Sequence, residues 1–301
     1  MDKRLNIALI GFGRFGKKYY KTLLKLNLFK KIIIYRKKKN KKFEKLNKKS
    51  LVINNVNLAI IVTPVDTHYK IASLLLKNKI PFILEKPVSK NISEIYKLQR
   101  MSKTNKTSVL VNYSDLFNKN FRKIIKIRNK IGKINYFHLH FGKFNGNYFN
   151  KSFLPHFDWF PHILAIIYSF FKKIKDIKII KSFTVKRKSF YFQSIILILK
   201  LSNNLNAKIT FSNIKKGKER KFFIKSNDSQ ILYNGNIDNE NFIKIKNKLI
   251  SISKKEYTPM EKIVLELDKI KKNNLYFSNL DFSVKVHKTL NKINLMLSKI
   301  N

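Results

Sequence analysis

Short apolar runs alternate with longer stretches of helical periodicity through the first 112 residues of this chain. The apolar runs predict strands at 5–10, 31–35, 57–62, 81–84 and 108–111. Between them the pattern predicts helices at 15–28, 68–77 and 92–101, while the lysine-rich segment 37–50 is the least ordered by composition. Strand–helix alternation at this spacing is typical of a doubly wound parallel sheet, the Rossmann architecture.

After Tyr113 the pattern changes from alternation to successive strands. Beyond a helix at 120–130 and an extended stretch at 135–141, strands are expected at 177–185, 190–199, 207–211, 221–224 and 230–233, with closing helices at 259–272 and 280–299. Successive strands without intervening helices favour a mainly antiparallel sheet. We therefore predict an α/β Rossmann domain over 1–112 and an α+β domain over 113–301.

Composition excludes several protein classes. Of the 301 residues, 44% are hydrophobic, which is enough for a large core, and none is cysteine, which excludes disulfide scaffolds and thiolate metal sites. Segment 152–171 lacks lysine and arginine, but its proline, histidine and aspartate residues are too costly in lipid for a membrane span. The apolar run at the start is too short for a secretory signal, so a soluble, cytoplasmic protein is expected.

The formal net charge of +48 is extreme for this length. One interpretation is an anionic partner, either nucleic acid or a membrane surface. The other is compositional drift, because lysine, asparagine, isoleucine and phenylalanine are abundant throughout and the lysines are not confined to one tail or helix. We favour drift, and expect neither a specific nucleic-acid partner nor a membrane.

The most informative motif is Gly11-Phe12-Gly13-Arg14-Phe15-Gly16, between the first predicted strand and the first predicted helix. In a dinucleotide-binding turn the first glycine permits the tight bend, the second admits the pyrophosphate, and the third allows close helix–strand packing. The phosphates then lie at the positive end of the helix. The alternative is a glycine turn in an α/β protein that binds no dinucleotide.

The end of the second predicted strand bears on the choice of dinucleotide. NAD enzymes carry an acidic residue there for the ribose hydroxyls, but this strand ends in Tyr35-Arg36, followed by three lysines. Arg36 can form a bidentate contact with the 2′-phosphate of NADP, so NADP is favoured over NAD. Alternatively, Arg36 is one more solvated base in a basic chain.

Two polar clusters follow the next strands: Thr63-Pro64 with His68, and Glu85-Lys86 before Pro87. Both lie at carboxyl ends of predicted parallel strands, where open α/β sheets bind ligands. With the glycine motif, these clusters make the chain resemble the Gfo/Idh/MocA family of NAD(P)-dependent oxidoreductases over nearly its whole length. The resemblance implies coenzyme contacts from the glycine motif, from Arg36, and from Thr63, Pro64, His68, Glu85, Lys86 and Asn112.

The family's second domain carries an Asp-x-x-x-His element, which is matched here by Asp158 and His162. If the segment is helical, this spacing places both side chains on one face, with Pro161 best accommodated in the first turn. The resemblance implies that Lys86 and His162 are the catalytic pair and that Asp158 supports the histidine or binds substrate. The alternative is an ordinary core helix. Family members often have glycine where this chain has Phe160, which affects the expected pocket shape.

This combination of residues suits alcohol oxidation, in which carbon loses a hydride and the hydroxyl loses a proton. A histidine exchanges protons near neutrality, and a lysine can polarise the substrate oxygen or act as base if burial lowers its pKa. Which of the two takes the proton is left open. A metal site from His156, Asp158 and His162 is conceivable, but no metal is expected.

The function predicted is hydride transfer between nicotinamide and a hydroxyl or keto carbon of a small-molecule substrate, namely a sugar, nucleotide-sugar or cyclitol. The alternative is a non-catalytic dinucleotide-binding sensor or partner protein, against which the joint presence of Lys86, Asp158 and His162 argues. The resemblance implies that the domain over 113–301 binds substrate and mediates oligomerisation through its antiparallel sheet, so a homo-oligomer is expected. Family members often carry an arginine shortly after Asn112, but Asp115-Leu116-Phe117 stands here instead, so specificity does not transfer.

Overall fold

The computed structural model describes residues 4–36, 46–143, 154–187, 190–202, 204–214, 217–237, 240–246, 248–250 and 257–300. The chain divides into two compact units, the first formed by residues 1–113 and 257–285 and the second by residues 114–256 and 286–301. The first boundary lies within one residue of the predicted one. Residues 257–285 differ from the prediction, because they complete the first unit although they follow the second in sequence.

A five-stranded parallel sheet forms the centre of the first unit, in the order β2-β1-β3-β4-β5. Its strands are β1 (Leu5–Ile10), β2 (Phe29–Tyr35), β3 (Leu58–Ile61), β4 (Phe82–Leu84) and β5 (Val109–Val111). Its helices are α1 (Arg14–Leu26), α2 (Lys48–Ile53), α3 (His68–Lys77), α4 (Ile92–Thr104) and α7 (Pro259–Lys272). The doubly wound fold predicted for this region is confirmed, and α2 is an addition that the sequence pattern did not predict.

The burial of the strands explains why apolar runs in the sequence predicted them. All four residues of β3 are fully buried, and Ile7 to Ile10 of β1 are buried as well, since helices cover parallel sheets on both faces. Helix α1 packs through Gly16, Tyr19 and Leu23, which recur at helical spacing. Helix α2 is short and is held by a capping box between Asn47 and Ser50, a local signal that the lysine-rich surroundings obscure.

The carboxy-terminal part of the first unit covers the β5 edge of its sheet. Val109 donates its N–H to the Phe277 carbonyl at 3.1 Å, and the Asn279 side chain accepts from the Val111 N–H at 2.8 Å. Helix α7 begins with a capping box between Thr258 and Glu261, and Glu261 also forms an ion pair with Lys25 of α1 at 2.6 Å. Pairing of the edge removes the exposed backbone groups that otherwise invite association.

The second unit is built on an eight-stranded sheet in the order β13-β12-β11-β10-β6-β9-β8-β7. Its strands are β6 (Ile134–Lys143), β7 (Ile174–Arg187), β8 (Phe190–Leu201), β9 (Asn206–Ser212), β10 (Lys218–Ser226), β11 (Ser229–Asn234), β12 (Phe242–Ile245) and β13 (Lys248–Ile250). Its helices are α5 (Lys119–Lys126) and α6 (Pro155–Phe170), and α8 (Leu280–Leu297) contains the boundary between the units. Only the β6–β9 pair is parallel among these described strands, which confirms the mainly antiparallel sheet.

Helix α6 is the element that the aromatic segment 152–171 encodes. It packs on the apolar face of the sheet, where Phe160 lies 5.8 Å from the Phe211 ring of β9. Phe160 is fully buried and so contributes to the core of the second unit. The predicted place of Pro161 in the first turn is wrong, because Pro155 occupies that turn and Pro161 lies inside the helix. There its missing N–H leaves the carbonyl four residues earlier without the usual intrahelical donor.

None of the helices in the described part of the chain is both long and apolar enough to cross a membrane. This includes α6, the helix that occupies the segment considered above as a candidate span. Of the lysine-rich segment 37–50, residues 37–45 lie outside the described residues.

Candidate active site

The glycine motif forms a close-packed turn between β1 and α1. Gly11 has a φ of +103° and donates its N–H to the Tyr35 carbonyl at 3.0 Å. A Cβ on Gly11 would lie 2.8 Å from the Val62 carbonyl oxygen, and one on Gly16 would lie 2.3 Å from the Gly11 carbonyl oxygen. The first and third glycines are therefore required for the packing of the turn itself.

The second glycine differs, because a Cβ on Gly13 would meet nothing within 4 Å. Gly13 is the N-cap of α1, where no side chain caps the helix and no acidic residue lies in the first turn. The first N–H groups of a helix lack intrahelical partners, and the helix dipole favours an anion beside them. The open space and the uncapped amino terminus fit a dinucleotide pyrophosphate.

The aromatic residues of the motif flank this helix start. Phe12 packs edge-on against Tyr20, with ring centroids 5.6 Å apart. Phe15 is exposed, and the side chains of Arg14 and Lys18 lie over its ring at 5.5 and 5.3 Å. The start of α1 thus carries three basic residues, Arg14, Lys17 and Lys18, and no carboxylate, in keeping with an anionic ligand.

Arg36 is exposed at the end of β2. It directly follows Tyr35, whose carbonyl accepts the Gly11 N–H, so the backbone of Arg36 is adjacent to the glycine turn. This is the position at which a dinucleotide-binding fold recognises the adenosine ribose. The candidate contact to a 2′-phosphate therefore comes from the expected place in the fold.

Glu85, which follows β4, is held by a hydrogen-bonded triad. The Tyr19 hydroxyl donates to Glu85 Oε1 at 2.9 Å, and Asn112 Nδ2 donates to the same oxygen at 2.8 Å. Burial, together with the neighbouring Glu85 carboxylate, raises the pKa of the fully buried Tyr19, which keeps its hydroxyl protonated as a donor. The triad unites the predicted Glu85 and Asn112 with Tyr19, which sequence reasoning had not singled out.

His68 joins the segments that follow β3 and β4. Its Nε2 lies 2.8 Å from the Thr63 carbonyl oxygen and its Nδ1 lies 3.0 Å from that of Pro87. The side chain is almost fully buried, and burial lowers its pKa below the usual value. The contacts of His68 thus fix the backbone on both sides of the candidate site, and its predicted contact with coenzyme remains a prediction.

The other predicted residues of the first unit lie on these two segments. Thr63 is half-buried, Pro64 is exposed, and the Thr67 hydroxyl lies 2.7 Å from both Thr63 Oγ1 and the Pro64 carbonyl oxygen. Lys86 is half-buried between the anchored Glu85 and Pro87, whose carbonyl contacts His68. The structure therefore brings Lys86, Glu85, Thr63 and Asn112 to the carboxyl ends of β3, β4 and β5.

In the second unit, Asp158 and His162 occupy successive turns of α6, as their spacing predicted. Asp158 is exposed, whereas the His162 side chain is only 11% exposed. The carboxylate that lies beside His162 Nδ1 is that of Asp115, at 3.7 Å from its Oδ2. A supporting role for Asp158 remains a prediction.

Asp115 is the centre of a buried cluster that we call the Asp115 cluster, formed by Asp115, His162, Arg220 and Tyr233. The Arg220 guanidinium Nη2 lies 2.9 Å from Asp115 Oδ2, and the Tyr233 hydroxyl donates to Oδ1 at 3.0 Å. Asp115 is 2% exposed. A buried carboxylate requires such partners, because an unpaired charge in this environment is strongly destabilising.

Sequence reasoning missed Arg220 and Tyr233 and treated Asp115 only as a departure from the family pattern. Arg220 on β10 and Tyr233 on β11 lie far from Asp115 in sequence and are brought to it by sheet pairing. Arg220 is one of 65 lysines and arginines in the chain, so nothing in the sequence distinguished it from the other basic residues as a site residue.

His156 lies one helical turn and a half before His162 and is fully buried. Its backbone N–H donates to Gln193 Oε1 at 3.0 Å, and its ring Nδ1 lies 3.1 Å from the same oxygen. These contacts make His156 part of the core of the second unit, whereas Asp158 is exposed. No group of three or more metal-ligating acidic or histidine side chains occurs among the residues that the structure describes.

Burial lowers the pKa of His156 from 6.5 to about 4, so the fold favours the neutral ring. The associated stability is present above the unfolded-state pKa and is lost as pH falls from 6.5 towards 4. Between pH 7.5 and pH 5 we expect this residue to account for a loss of about 2 kcal/mol in unfolding free energy. In denaturant titrations, the unfolding free energy of H156N should fall by about 2 kcal/mol less than that of the wild type between pH 7.5 and pH 5. Equal losses in the two proteins would contradict a buried, neutral His156 ring.

His138 and His140 share one face of β6, as their alternation predicted. His140 Nε2 lies 3.1 Å from His138 Nδ1, and His138 Nε2 lies 3.0 Å from Thr210 Oγ1 of β9. Desolvation, with the neighbouring His140, lowers the pKa of His138 to about 4. This face is opposite to the one formed by the buried Phe137, Leu139 and Phe141.

The fold is similar to that of solved oxidoreductases along nearly the whole chain. UDP-N-acetylglucosamine 3-dehydrogenase from Acidithiobacillus ferrooxidans matches with a TM-score of 0.81 and 13% identity, covering 97% of each chain. A dehydrogenase from Clostridium difficile matches at 0.76 and 17%, covering 98% of this chain and 100% of that one. Biliverdin reductase from Synechocystis sp. PCC 6803, in complex with biliverdin and NADP⁺, matches at 0.73 and 13%, covering 94% and 96%. At these identities the likeness shows the fold.

A comparison with curated protein sequences found no match. A family model described as an oxidoreductase family with an NAD-binding Rossmann fold matches residues 5–113, which include the glycine turn, Arg36 and the triad around Glu85. This match, which covers the dinucleotide-binding region alone, agrees with the resemblance to the Gfo/Idh/MocA family of oxidoreductases that the motifs indicate.

Proposed function

We propose that this oxidoreductase transfers a hydride between a nicotinamide coenzyme, preferably NADP, and the hydroxyl- or keto-bearing carbon of a sugar, nucleotide-sugar or cyclitol. The observation that carries the proposal is the turn before α1, where Gly11 and Gly16 are packed against backbone and Gly13 opens on an uncapped helix start. The similar fold of a nucleotide-sugar dehydrogenase supports the substrate class.

When bound, the coenzyme supplies a hydride acceptor or donor. The protein's own residues must then bind the phosphates, orient the substrate and move one proton. The start of α1 supplies N–H donors for the pyrophosphate. Lys86, a half-buried cation after β4, is suited to polarise the substrate oxygen, and His162 is suited to exchange the hydroxyl proton near neutral pH. In the oxidising direction the carbon loses the hydride with its electron pair and the oxygen loses the proton.

Binding and turnover test this proposal separately. Purified protein titrated with NADPH and with NADH should change the coenzyme fluorescence, with tighter binding of NADPH. A panel of sugars, nucleotide-sugars and cyclitols, assayed with both coenzymes, should then identify substrates by absorbance at the nicotinamide band. Failure to bind either coenzyme would overturn the proposal, whereas binding without turnover across the panel would favour the non-catalytic sensor or partner protein.

The assignment of NADP rests on Arg36 and has its own test. R36E should weaken NADPH binding by about 10- to 100-fold, because it removes a candidate phosphate contact and places a carboxylate near the same group. NADH binding should change little or improve. K30E makes the same charge change at an exposed position on β2 and should leave the preference intact. An unchanged ratio of the two affinities in R36E would remove Arg36 from the site.

The antiparallel sheet of the second unit is proposed as the surface through which copies of the chain associate. Its solvent-facing side carries half-exposed large apolar residues, including Tyr136 and Phe183. Isolated apolar side chains are common on protein surfaces, but several on one sheet face are typical of subunit contacts. Sedimentation analysis of the purified chain will determine whether it assembles.

A further inference from the structure

We infer that Asp115 positions the His162 imidazole and sets its affinity for a proton, with Arg220 and Tyr233 holding the Asp115 carboxylate in place. The statement that His162 then acts on substrate rests on the proposed function. The arrangement of the Asp115 cluster is independent of that function, because it consists of direct contacts among four residues of the second unit. Asp115 is thus assigned as a positioning residue rather than a catalytic one.

The Asp115 carboxylate is fixed through both of its oxygens. Tyr233 donates to Oδ1 at 3.0 Å, and Arg220 Nη2 lies 2.9 Å from Oδ2. Arg220 is itself anchored, since its Nη2 donates to Ser114 Oγ at 3.0 Å. Tyr233 is fully buried and the Arg220 side chain is only 13% exposed. A carboxylate held in this way has a fixed position. The carboxylate therefore orients the His162 imidazole, and the imidazole does not orient the carboxylate.

His162 presents Nδ1 to this fixed carboxylate, at 3.7 Å from Oδ2. The distance is longer than a hydrogen bond but well within the range of a strong charge interaction. A negative charge on the Nδ1 side favours the tautomer with its proton on Nδ1 and leaves Nε2 available for a substrate proton. It also favours the imidazolium form, which is the form that must exist after a proton has been accepted.

The groups that bear on the His162 charge have opposite signs. Asp115 Oδ2 is shared between His162 and Arg220, so the guanidinium opposes part of the effect of the carboxylate. Asp158 lies one turn earlier on α6, and Tyr233 acts through its hydrogen bond to Asp115. Removal of Asp115 should therefore lower the titration midpoint of His162, and removal of Arg220 should raise it.

The test is an NMR titration of the histidine ring protons in the full chain, without coenzyme or substrate. H162Q assigns the His162 signal among the six histidines. In D115N the midpoint should fall by about one pH unit or more, which is the usual size of the effect of an opposite charge within this distance. In R220M it should rise above that of the wild type. In the double variant D115N/R220M it should lie between those of the two single variants.

The double variant keeps the test valid if D115N does not fold, because it leaves no unpaired buried charge. Its midpoint must then lie below that of R220M. D268N is the matched control: it removes a buried carboxylate that pairs with Lys272 at 2.8 Å in the first unit, and it should leave the His162 midpoint unchanged. A His162 midpoint that is the same in the wild type, D115N and R220M would overturn the inference.

Kinetics separate this inference from the proposed function. With a substrate in hand, D115N should lower kcat and shift its pH dependence in the direction of the His162 midpoint, while KM for NADPH stays unchanged. If no substrate is ever turned over, the titration still decides the role of Asp115. If H162Q abolishes turnover but the titration does not respond to D115N, the proposed function stands and the positioning role fails.

Discussion

H162Q is expected to lower turnover by a factor of about 10²–10⁴, the usual loss when a general acid or base is removed. Glutamine retains a similar length and polarity but cannot exchange a proton. K86M is expected to cause a loss of similar size, because it removes the cation that the segment after β4 holds beside the anchored Glu85. The measurement is the initial rate with the best substrate and saturating NADPH.

Two control variants accompany these substitutions. H138Q changes a histidine of the β6 strand, and K90M removes a lysine that forms an exposed ion pair with Asp66 at 2.7 Å. Both should retain turnover within about twofold, because neither residue belongs to the proposed catalytic set and an exposed ion pair contributes little. H162Q should also retain NADPH binding, which shows that the dinucleotide unit is folded. Wild-type turnover in both H162Q and K86M would remove these residues from the catalytic machinery.

The second large effect is expected from substitution of the glycines, because Gly13 and Gly16 have different roles. G13A should leave the fold intact, because its φ of −76° suits any residue and the added Cβ meets nothing within 4 Å. It should nonetheless weaken NADPH binding by about 100-fold, since the methyl group occupies the space into which the pyrophosphate must come. Fluorescence titration measures the affinity, and thermal unfolding without coenzyme measures the stability.

G16A should behave in the opposite way. Its Cβ would lie 2.3 Å from the Gly11 carbonyl oxygen, which belongs to the backbone and cannot rotate aside. We expect a loss of about 3 kcal/mol in the unfolding free energy of the first unit, the upper range for overpacking. If G13A destabilised the protein as much as G16A, or bound NADPH normally, Gly13 would not be the point of phosphate entry.

The first unit was largely predictable, because buried parallel strands and their helices leave strong local patterns. Strand β1 and helix α3 begin and end at the predicted residues, and so does α7 in the carboxy-terminal segment. Each combines apolar periodicity with a local boundary, such as the glycine turn after β1 or the Thr258 capping box of α7. Helix α2 was not predicted, since six residues in a lysine-rich context carry too little periodicity.

Contacts between residues distant in sequence could not be predicted. The ion pair between Asp115 and Arg220 depends on the strand order and register of the second sheet, and no local pattern encodes that register. The same holds for Tyr19, whose hydrogen bond to Glu85 depends on how α1 lies on the parallel sheet. Motif reasoning identified candidate site residues such as Glu85, whereas the partners that hold them in place could be identified only from the fold.

The chain leaves its first unit at residue 113 and returns to it only at residue 257. During synthesis from the amino terminus, the β5 edge therefore stays open until residues 277–279, which form its backbone hydrogen bonds, have emerged from the ribosome. Helix α7, whose Glu261 forms the ion pair with Lys25 of α1, emerges only shortly before those residues. Nascent chains of this protein thus carry an incompletely covered sheet while residues 114–256 of the second unit are being translated. A fragment ending at residue 113 would keep that edge exposed permanently, so it would not reproduce the coenzyme-binding unit and would present an unpaired strand to chaperones.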